Sequence, residues 1–81
     1  MRVDKFLKVA RIVKKRSVAK ILADNEKIKV NNKIAKPSTV VEVNDEIELT
    51  FGERTLKIRV AALLINPKKT DAQNMVEIIE Q

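Results

Sequence analysis

Residues 1–22 read MRVDKFLKVARIVKKRSVAKIL, and they predict two short helices joined by a basic connection at Lys14-Lys15-Arg16. Apolar residues in the first half recur at the helical spacing i, i+3, i+4 and i+7, with cations on the other side. We expect Asp4 to cap the first helix and Ser17 to cap the second, which would end near Asp24. The apolar residues expected to be buried are Val3, Phe6, Leu7, Ala10 and Val13 in the first helix and Val18, Ile21 and Leu22 in the second.

Beyond the second helix the apolar period changes from helical to alternating, which is typical of β-strands. Residues 27–30 and 33–36 flank the pair Asn31-Asn32. Asparagine tolerates a positive φ better than other residues with a side chain, so this pair suits a two-residue hairpin turn. Pro37-Ser38 is expected to end the hairpin.

A second alternating pair of segments, residues 46–51 and 56–60, predicts another hairpin around Gly52-Glu53. In this hairpin Glu46 and Glu48 are expected to face Lys57 and Arg59 across the strands, where opposite charges stabilise modestly.

Residues 67–81 are predicted to be a C-terminal extension that carries a short helix. Thr70 and Gln73 have the spacing of a capping box, and Ala72, Met75, Val76 and Ile79 form a helical stripe. Residues 1–66 are expected to form the main domain. The predicted fold class is α+β, with two N-terminal helices on a small, mostly antiparallel sheet and a short C-terminal helix.

The positive charge of the chain is concentrated in its first half. The net charge is +6, and residues 1–36 contain 12 Lys and Arg against 3 Asp and Glu, whereas residues 37–81 contain 5 against 8. The basic half is a candidate surface for a polyanion. A basic surface that contacts only solvent is the alternative.

The residue inventory argues against catalysis. The chain has no histidine, no cysteine and one glycine, so the commonest general base, the commonest metal ligands and glycine-rich phosphate loops are absent. Glu42, Asp45, Glu46 and Glu48 could hold Mg²⁺, but their alternation favours a solvated face. We expect no catalytic residue, no metal site and no cofactor; a metal-dependent nuclease using Asp45 or Glu46 is the enzymatic alternative.

No segment of the sequence indicates a membrane or an export signal. Charged residues follow Met1 directly, and the longest apolar run, residues 60–65, is too short to span a bilayer. We therefore expect a cytoplasmic protein. A basic amphipathic helix on a membrane surface is an alternative that the following strands disfavour.

The absence of Trp and Tyr points to phosphates rather than bases as the contacts. The two phenylalanines, Phe6 and Phe51, are expected in the core, so no aromatic side chain is left to stack on bases. The start of the second helix combines free backbone N–H groups with adjacent cations, which favours phosphate. A helix-turn-helix DNA binder is the competing interpretation, although the second helix offers few residues for base readout. The predicted RNA-binding residues are Arg2, Lys5, Lys8, Arg11, Lys14, Lys15, Arg16, Ser17, Lys20, Lys27, Lys29 and Lys33.

The order of these residues resembles the S4-type RNA-binding domain over residues 1 to about 51. The shared pattern is an R-x-D-x-x-L opening, a later arginine, a basic-Arg-Ser/Thr-x-Ala step, a V-x-V-N-G hairpin, a K-P-S segment and a G-D-x-I turn. Glu26, Asn32 and Asn44 stand where the family has glycine. The matching residues are Arg2, Asp4, Leu7, Arg11, Arg16, Ser17, Ala19, Val30, Asn31, Lys36, Pro37, Ser38, Asp45 and Ile47.

The short chain, its FGERTLKIRV hairpin and its tail DAQNMVEIIEQ are similar to small ribosome-associated quality-control factors of the RqcP type, relatives of the fifteen-kilodalton heat-shock protein. The resemblance implies a non-catalytic factor that contacts rRNA and peptidyl-tRNA on obstructed large ribosomal subunits during rescue of stalled nascent chains. It also implies a tailing factor as a partner on the same subunit. We expect the free protein to be a monomer. The alternative is a structured-RNA or DNA-binding module that does not act on the ribosome.

Overall fold

The computed structural model describes residues 1–81 and has the predicted α+β class. The elements in chain order are α1 (Val3–Val9), α2 (Arg16–Asp24), β1 (Ile28–Val30), β2 (Lys33–Ile34), β3 (Glu46–Phe51), β4 (Arg54–Val60), α3 (Lys69–Ala72) and β5 (Val76–Glu80). The strands form a single antiparallel sheet in the order β2-β1-β3-β4-β5, and the short helix α3 lies in the chain between the last two strands.

Helix α1 begins two residues earlier than a cap at Asp4 requires, so that prediction was wrong. Arg2 occupies the N-cap position with extended backbone angles. It also bridges to Val40, and the Val3 N–H donates to the Thr39 carbonyl at 2.7 Å. These bonds fasten the chain start to the turn after β2, so Val3 is already helical and Asp4 lies inside the first turn.

The end of α1 is a Schellman motif built without glycine. The Arg11 N–H donates to the Lys8 carbonyl and the Ile12 N–H to the Leu7 carbonyl, both at 3.0 Å. Arg11 therefore takes a φ of 60°, in the left-handed region that glycine usually occupies at this position. The helix ends at Val9, and Val13 is buried from the connecting segment rather than from the helix.

Helix α2 begins at Arg16 and buries alanines instead of the predicted branched residues. Lys15 is its N-cap residue, so the prediction that Ser17 caps the helix was wrong. The buried positions are Ala19 and Ala23, whereas Val18 and Ile21 are 38% and 60% exposed. Small side chains let α2 approach α1 closely, and this turns the larger aliphatic side chains toward solvent. Leu22 packs against the edge of the core.

The β1–β2 hairpin turns at Asn31-Asn32, as predicted. Val30 pairs with Lys33, and both asparagines have positive φ, 51° and 68°, the requirement of a type I′ turn. Glu26 and Asn44 also have positive φ, 60° and 78°. All three positions where the S4-type pattern has glycine are thus left-handed in this chain.

The β3–β4 hairpin also forms at the predicted turn, but its ion pairs differ from the prediction. Gly52 has a φ of 58°, and Glu46 lies 3.3 Å from Lys57 and 3.9 Å from Arg59. Glu48 lies opposite Lys57 in the register yet forms no ion pair, because the lysine reaches diagonally to Glu46. Phe51 was predicted in the core but is 37% exposed at the strand end.

The C-terminal helical stripe and the capping box at Thr70 were wrong predictions. Helix α3 is a single turn, Lys68 is its N-cap residue, and no side chain caps it. The segment Val76–Glu80 forms β5, which pairs with β4. The unpaired edge of β4 decides this outcome, since pairing satisfies its backbone groups and Met75 becomes fully buried there. The division of the chain at residue 66 stays a prediction.

One core joins the helices to the inner face of the sheet. Phe6 and Leu7 of α1 are fully buried against strand residues that alternate with charged ones. The outer face carries Glu46, Glu48, Lys57 and Arg59, which largely compensate one another. The fully buried strand residues of the inner face are Ile28, Ile47, Leu49, Ile58 and Val60.

The left-handed conformation of Glu26 generates a stability prediction. A residue with a Cβ is strained at this φ, whereas glycine is not. We expect Glu26→Gly to raise the free energy of unfolding by about 0.5–1 kcal/mol, measured by urea denaturation. The control Glu26→Ala removes the same charge but keeps the Cβ, so it should stay close to the wild type. A glycine variant no more stable than the alanine variant would contradict the prediction.

Candidate nucleic-acid interface

The basic surface is organised around one buried carboxylate, that of Asp4. Its side chain is fully buried in the first turn of α1. Oδ2 lies 3.1 Å from the Arg2 Nη2 and 3.2 Å from the Arg16 Nε, and Oδ1 accepts the Lys5 N–H at 2.7 Å. The contact with Arg16 is an ion pair without hydrogen-bond geometry. Asp4 thus joins the start of α1 to the start of α2.

The environment of Asp4 keeps it ionised. Burial alone would raise its pKa, but Arg16, the Lys5 amide and Arg2 together outweigh burial and hold the pKa of Asp4 below its usual value. A buried carboxylate needs such partners because an unpaired charge is strongly disfavoured away from water. The ion pairs are therefore a condition for Asp4 to occupy this position.

The two arginines that Asp4 holds remain partly at the surface. The side chains of Arg2 and Arg16 are 45% and 41% exposed. A guanidinium group has five N–H donors, so contact with one carboxylate oxygen leaves others available to a phosphate. The arrangement fixes two cations at the junction of the helices while leaving them accessible.

The remaining predicted residues on the helices lie on α1, on α2 or in the connection between them. Lys5 is half-buried, and none of these residues forms an ion pair with a carboxylate. Their charge is therefore available to an external anion. The exposed members are Lys8, Arg11, Lys14, Lys15, Ser17 and Lys20.

The first turn of α2 presents free backbone donors beside these cations. The N–H groups of Arg16 and Ser17 donate to no protein acceptor, whereas the Val18 N–H bonds to the Lys15 carbonyl at 3.0 Å. The N-terminal end of a helix also carries partial positive charge. Ser17, although it is not the cap, is exposed in this turn and its hydroxyl is accessible.

The three predicted lysines of the first hairpin lie on other elements. Lys27 follows α2, and its N–H donates to the Leu22 carbonyl at 2.9 Å. Lys29 lies opposite Glu48, on the face of the sheet that points away from the helices. Lys33 is exposed at the turn. No hydrogen bond or ion pair joins these three to α1, so their role in RNA binding stays a prediction.

Asp45, the centre of the predicted acidic cluster, has a structural role in a turn. Its Oδ2 accepts the Glu42 N–H at 2.8 Å, and its Oδ1 accepts from the Asn31 side chain at 3.1 Å. The Asn31 side-chain oxygen in turn accepts the Glu46 N–H at 3.0 Å. These bonds tie the first hairpin to the start of β3.

Sequence reasoning missed the role of Asp4 and assigned it to helix capping. A signal was present, because Asp4 lies three residues before Leu7, at the edge of the apolar stripe, where an acidic residue needs a cationic partner. The exposure of Val18 and Ile21 beside Lys20 was also missed. It places aliphatic side chains within the basic surface and leaves few polar groups on α2 for base readout.

Comparison with known proteins agrees with this architecture. The S4 domain family model matches residues 1–47, and the chain belongs to the S4 domain family. Within that family, its relatives over the whole chain are proteins named RQC P-site tRNA stabilizing factor. The Streptococcus pneumoniae protein is 49% identical over 81 residues, covering all of this chain and 92% of the relative. The Bacillus subtilis protein is 41% identical, covering all of this chain and 94% of the relative.

A solved structure shares the fold. Heat shock protein 15 of Vibrio cholerae, described as trimeric, superposes with a TM-score of 0.88 at 30% identity. The match covers 98% of this chain and 81% of that protein. None of the helices of the present chain is both long and apolar enough to cross a membrane.

The depressed pKa of Asp4 predicts how stability depends on pH. A carboxyl group whose pKa is lower in the folded state contributes stability above its unfolded pKa, near 3.8, and loses it as the pH falls through the folded value. We expect Asp4→Asn to destabilise the protein by about 1–3 kcal/mol at neutral pH. The difference from the wild type should shrink below about pH 4.

Urea denaturation of both proteins between neutral and strongly acidic pH measures this difference. Asp24→Asn is the matched control, because Asp24 is exposed at the end of α2 and forms no ion pair. A stability difference between wild type and Asp4→Asn that stays constant down to acidic pH would show that the ion pairs of Asp4 contribute little.

Proposed function

We propose that this protein is a non-catalytic RNA-binding factor of ribosome-associated quality control. It binds the large ribosomal subunit, contacts rRNA and tRNA, and supports the rescue of stalled nascent chains by stabilising peptidyl-tRNA on obstructed subunits. The observation that carries the proposal is the pair of half-exposed arginines that Asp4 holds at the helix junction. The names of the full-length relatives support the ribosomal setting.

The proposed mechanism is recognition of the RNA backbone by a preformed surface. Arg2 and Arg16 are held in place before RNA arrives, so less side-chain freedom is lost on binding. The surrounding lysines add charge, and the free N–H groups at the start of α2 can donate to a phosphate oxygen. Because phosphate contacts position a protein without reading sequence, the shape of the folded RNA selects the site.

The helices and the outer face of the sheet have different roles in this mechanism. The RNA-binding residues are those of the helices and their connection, and Lys27, Lys29 and Lys33 extend the contact along the first hairpin. The part of the outer sheet face formed by β3 and β4, where Glu46 pairs with Lys57 and Arg59, contributes little to RNA binding. In this proposal the protein is cytoplasmic, uses no cofactor, is monomeric when free and shares the subunit with a tailing factor.

Crosslinking in living cells, followed by sequencing of the attached RNA, tests the proposal. We expect enrichment of one large-subunit rRNA site together with tRNA. Purified large subunits should also bind the protein with a steep salt dependence, because about six neutralised phosphates give a slope of log affinity against log salt of roughly −4 to −5. Crosslinks spread over messenger RNA, or preferential binding of duplex DNA in competition, would overturn the ribosomal assignment.

Charge variants separate the proposed surface from general basicity. Lys15→Gln and Lys20→Gln should each weaken binding and make the salt slope less steep by about 1, while leaving the Asp4 ion pairs intact. Arg54→Gln removes the same charge from the exposed β3–β4 hairpin and should change neither the affinity for RNA nor the salt slope. Arg16→Ala is less informative, because it also removes a partner of Asp4. Equal effects of the three glutamine variants would argue against a localised surface.

A further inference from the structure

The segment between β4 and α3 lies along the exposed side of α1. Leu63 and Ile65 line a shallow cleft with Met1 and Lys5, at the start of the helix. Leu63 and Ile65 lie beyond residues 1–47, the part of the chain that the S4 domain family model matches.

The same segment continues toward the end of α1. Residues 65–67 line a cleft of about 180 Å³ with Lys8, Val9 and Arg11. Further along, Lys69 lines a third cleft together with Arg11 and Ile12. The segment thus follows the helix from Lys5 to the turn after its last residue, and it brings Lys69 beside Arg11. Lys68 lies between Pro67 and Lys69, each of which shares a cleft with Arg11.

Lys68 and Lys69 are held in this position by the surrounding structure. The Lys68 carbonyl accepts the N–H groups of Asp71 and Ala72, at 2.9 and 3.0 Å. Ala72 and Met75 are 1% and 0% exposed, so the chain just after the lysines is anchored in the protein. The backbone that carries the two lysines therefore leads directly into a segment anchored in the core.

The charge at this location is not compensated within the protein. Lys8, Arg11, Lys68 and Lys69 are all exposed, and none of them forms an ion pair. Asp71, the carboxylate nearest in sequence to the two lysines, forms no ion pair either. Lys8 and Arg11 line the second cleft, and Lys69 lines the third cleft together with Arg11. Like charges brought this close repel one another unless an external anion lies between them.

The backbone of Arg11 is strained at this location, with a φ of 60°. Arg11 keeps a side chain at a helix C-terminal position where glycine would relieve the strain of a positive φ. This backbone conformation directs the chain around the end of α1, next to the cleft that Arg11 shares with Asn66 and Pro67. Strain of this kind persists where the surrounding structure enforces it and is concentrated at functional sites.

We propose that Lys68 and Lys69, with Lys8 and Arg11, form a second phosphate-binding surface that takes the sugar–phosphate backbone of RNA. The inference rests on the proposed RNA-binding function and deepens it, because it places an RNA contact in the C-terminal part of the chain. RNA bound at the helix junction then extends past the end of α1 to the 66–69 segment, or a second RNA strand occupies that end.

Binding of the full-length protein to purified large ribosomal subunits and to bulk tRNA, measured over a range of salt concentrations, tests the inference. We expect Lys68→Gln/Lys69→Gln to weaken binding of at least one of these RNAs about tenfold and to make its salt slope less steep by about 2. Each single variant should account for about 1 unit of slope. Arg54→Gln, with the same loss of charge at an exposed hairpin, is the matched control and should leave the slope unchanged.

The outcomes distinguish this inference from the proposed function. If the wild type binds neither RNA, the proposed function fails and the inference fails with it. If the wild type binds, Lys15→Gln weakens binding, and the double variant keeps wild-type affinity and slope for both RNAs, only the second surface is overturned. Far-UV circular dichroism establishes that the double variant is folded, as expected for two exposed lysines.

Discussion

The ion pairs of Asp4 with Arg2 and Arg16 are the interaction on which the rest of the basic surface depends. A fully buried carboxylate in the first turn of α1 requires cations, and the chain supplies one from each side of the helix connection. The same contacts decide where α2 starts, because Arg16 must lie within reach of Asp4. The scaffold and the candidate interface therefore share residues, and the two arginines are held in place without being buried.

The protein combines this fixed junction with several strained backbone positions. Arg11, Glu26 and Asn44 adopt left-handed conformations, and each lies in a turn that redirects the chain between elements. Glycine would relieve this strain at Arg11 and Glu26. At Arg11 the retained side chain keeps a cation next to the 66–69 segment, so a more relaxed turn would remove positive charge from the surface. At Glu26 no such compensation is visible.

The features that sequence reasoning predicted are mostly local. The Asn31-Asn32 and Gly52-Glu53 turns follow from the φ values their residues tolerate, and the buried stripe of α1 follows from helical spacing. The features it missed depend on distant partners. The tail of the chain has helical spacing, yet it forms β5 because the edge of β4 needs a neighbour. Ala19 and Ala23 rather than Ile21 face the core because α2 packs closely, which spacing alone does not reveal.

At the candidate site, too, the features predicted from the sequence are local, and those that were missed depend on distant partners. Composition and charge asymmetry identified the cations of the helices, because net charge in residues 1–36 can be read from the sequence alone. The arrangement that gives Arg2 and Arg16 a fixed position required the folded structure, since Asp4 contacts Arg16 only after the helices pack. Lys68 and Lys69 were predicted only as part of the C-terminal extension for the same reason: Lys69 and Arg11 line one cleft because the chain returns along α1.

The affinity of Asp4→Asn for large ribosomal subunits, at neutral pH and a temperature where the variant is folded, tests the central claim most directly. Removing an acidic residue makes the protein more positive, so general electrostatics alone predicts tighter binding to RNA. If Asp4 positions the arginines, binding should instead weaken, while Asp24→Asn, with the same change in charge, should bind as well as the wild type or slightly better. Tighter binding by both variants would contradict the account, because the surface would then act through its net charge and not through arginines held in place.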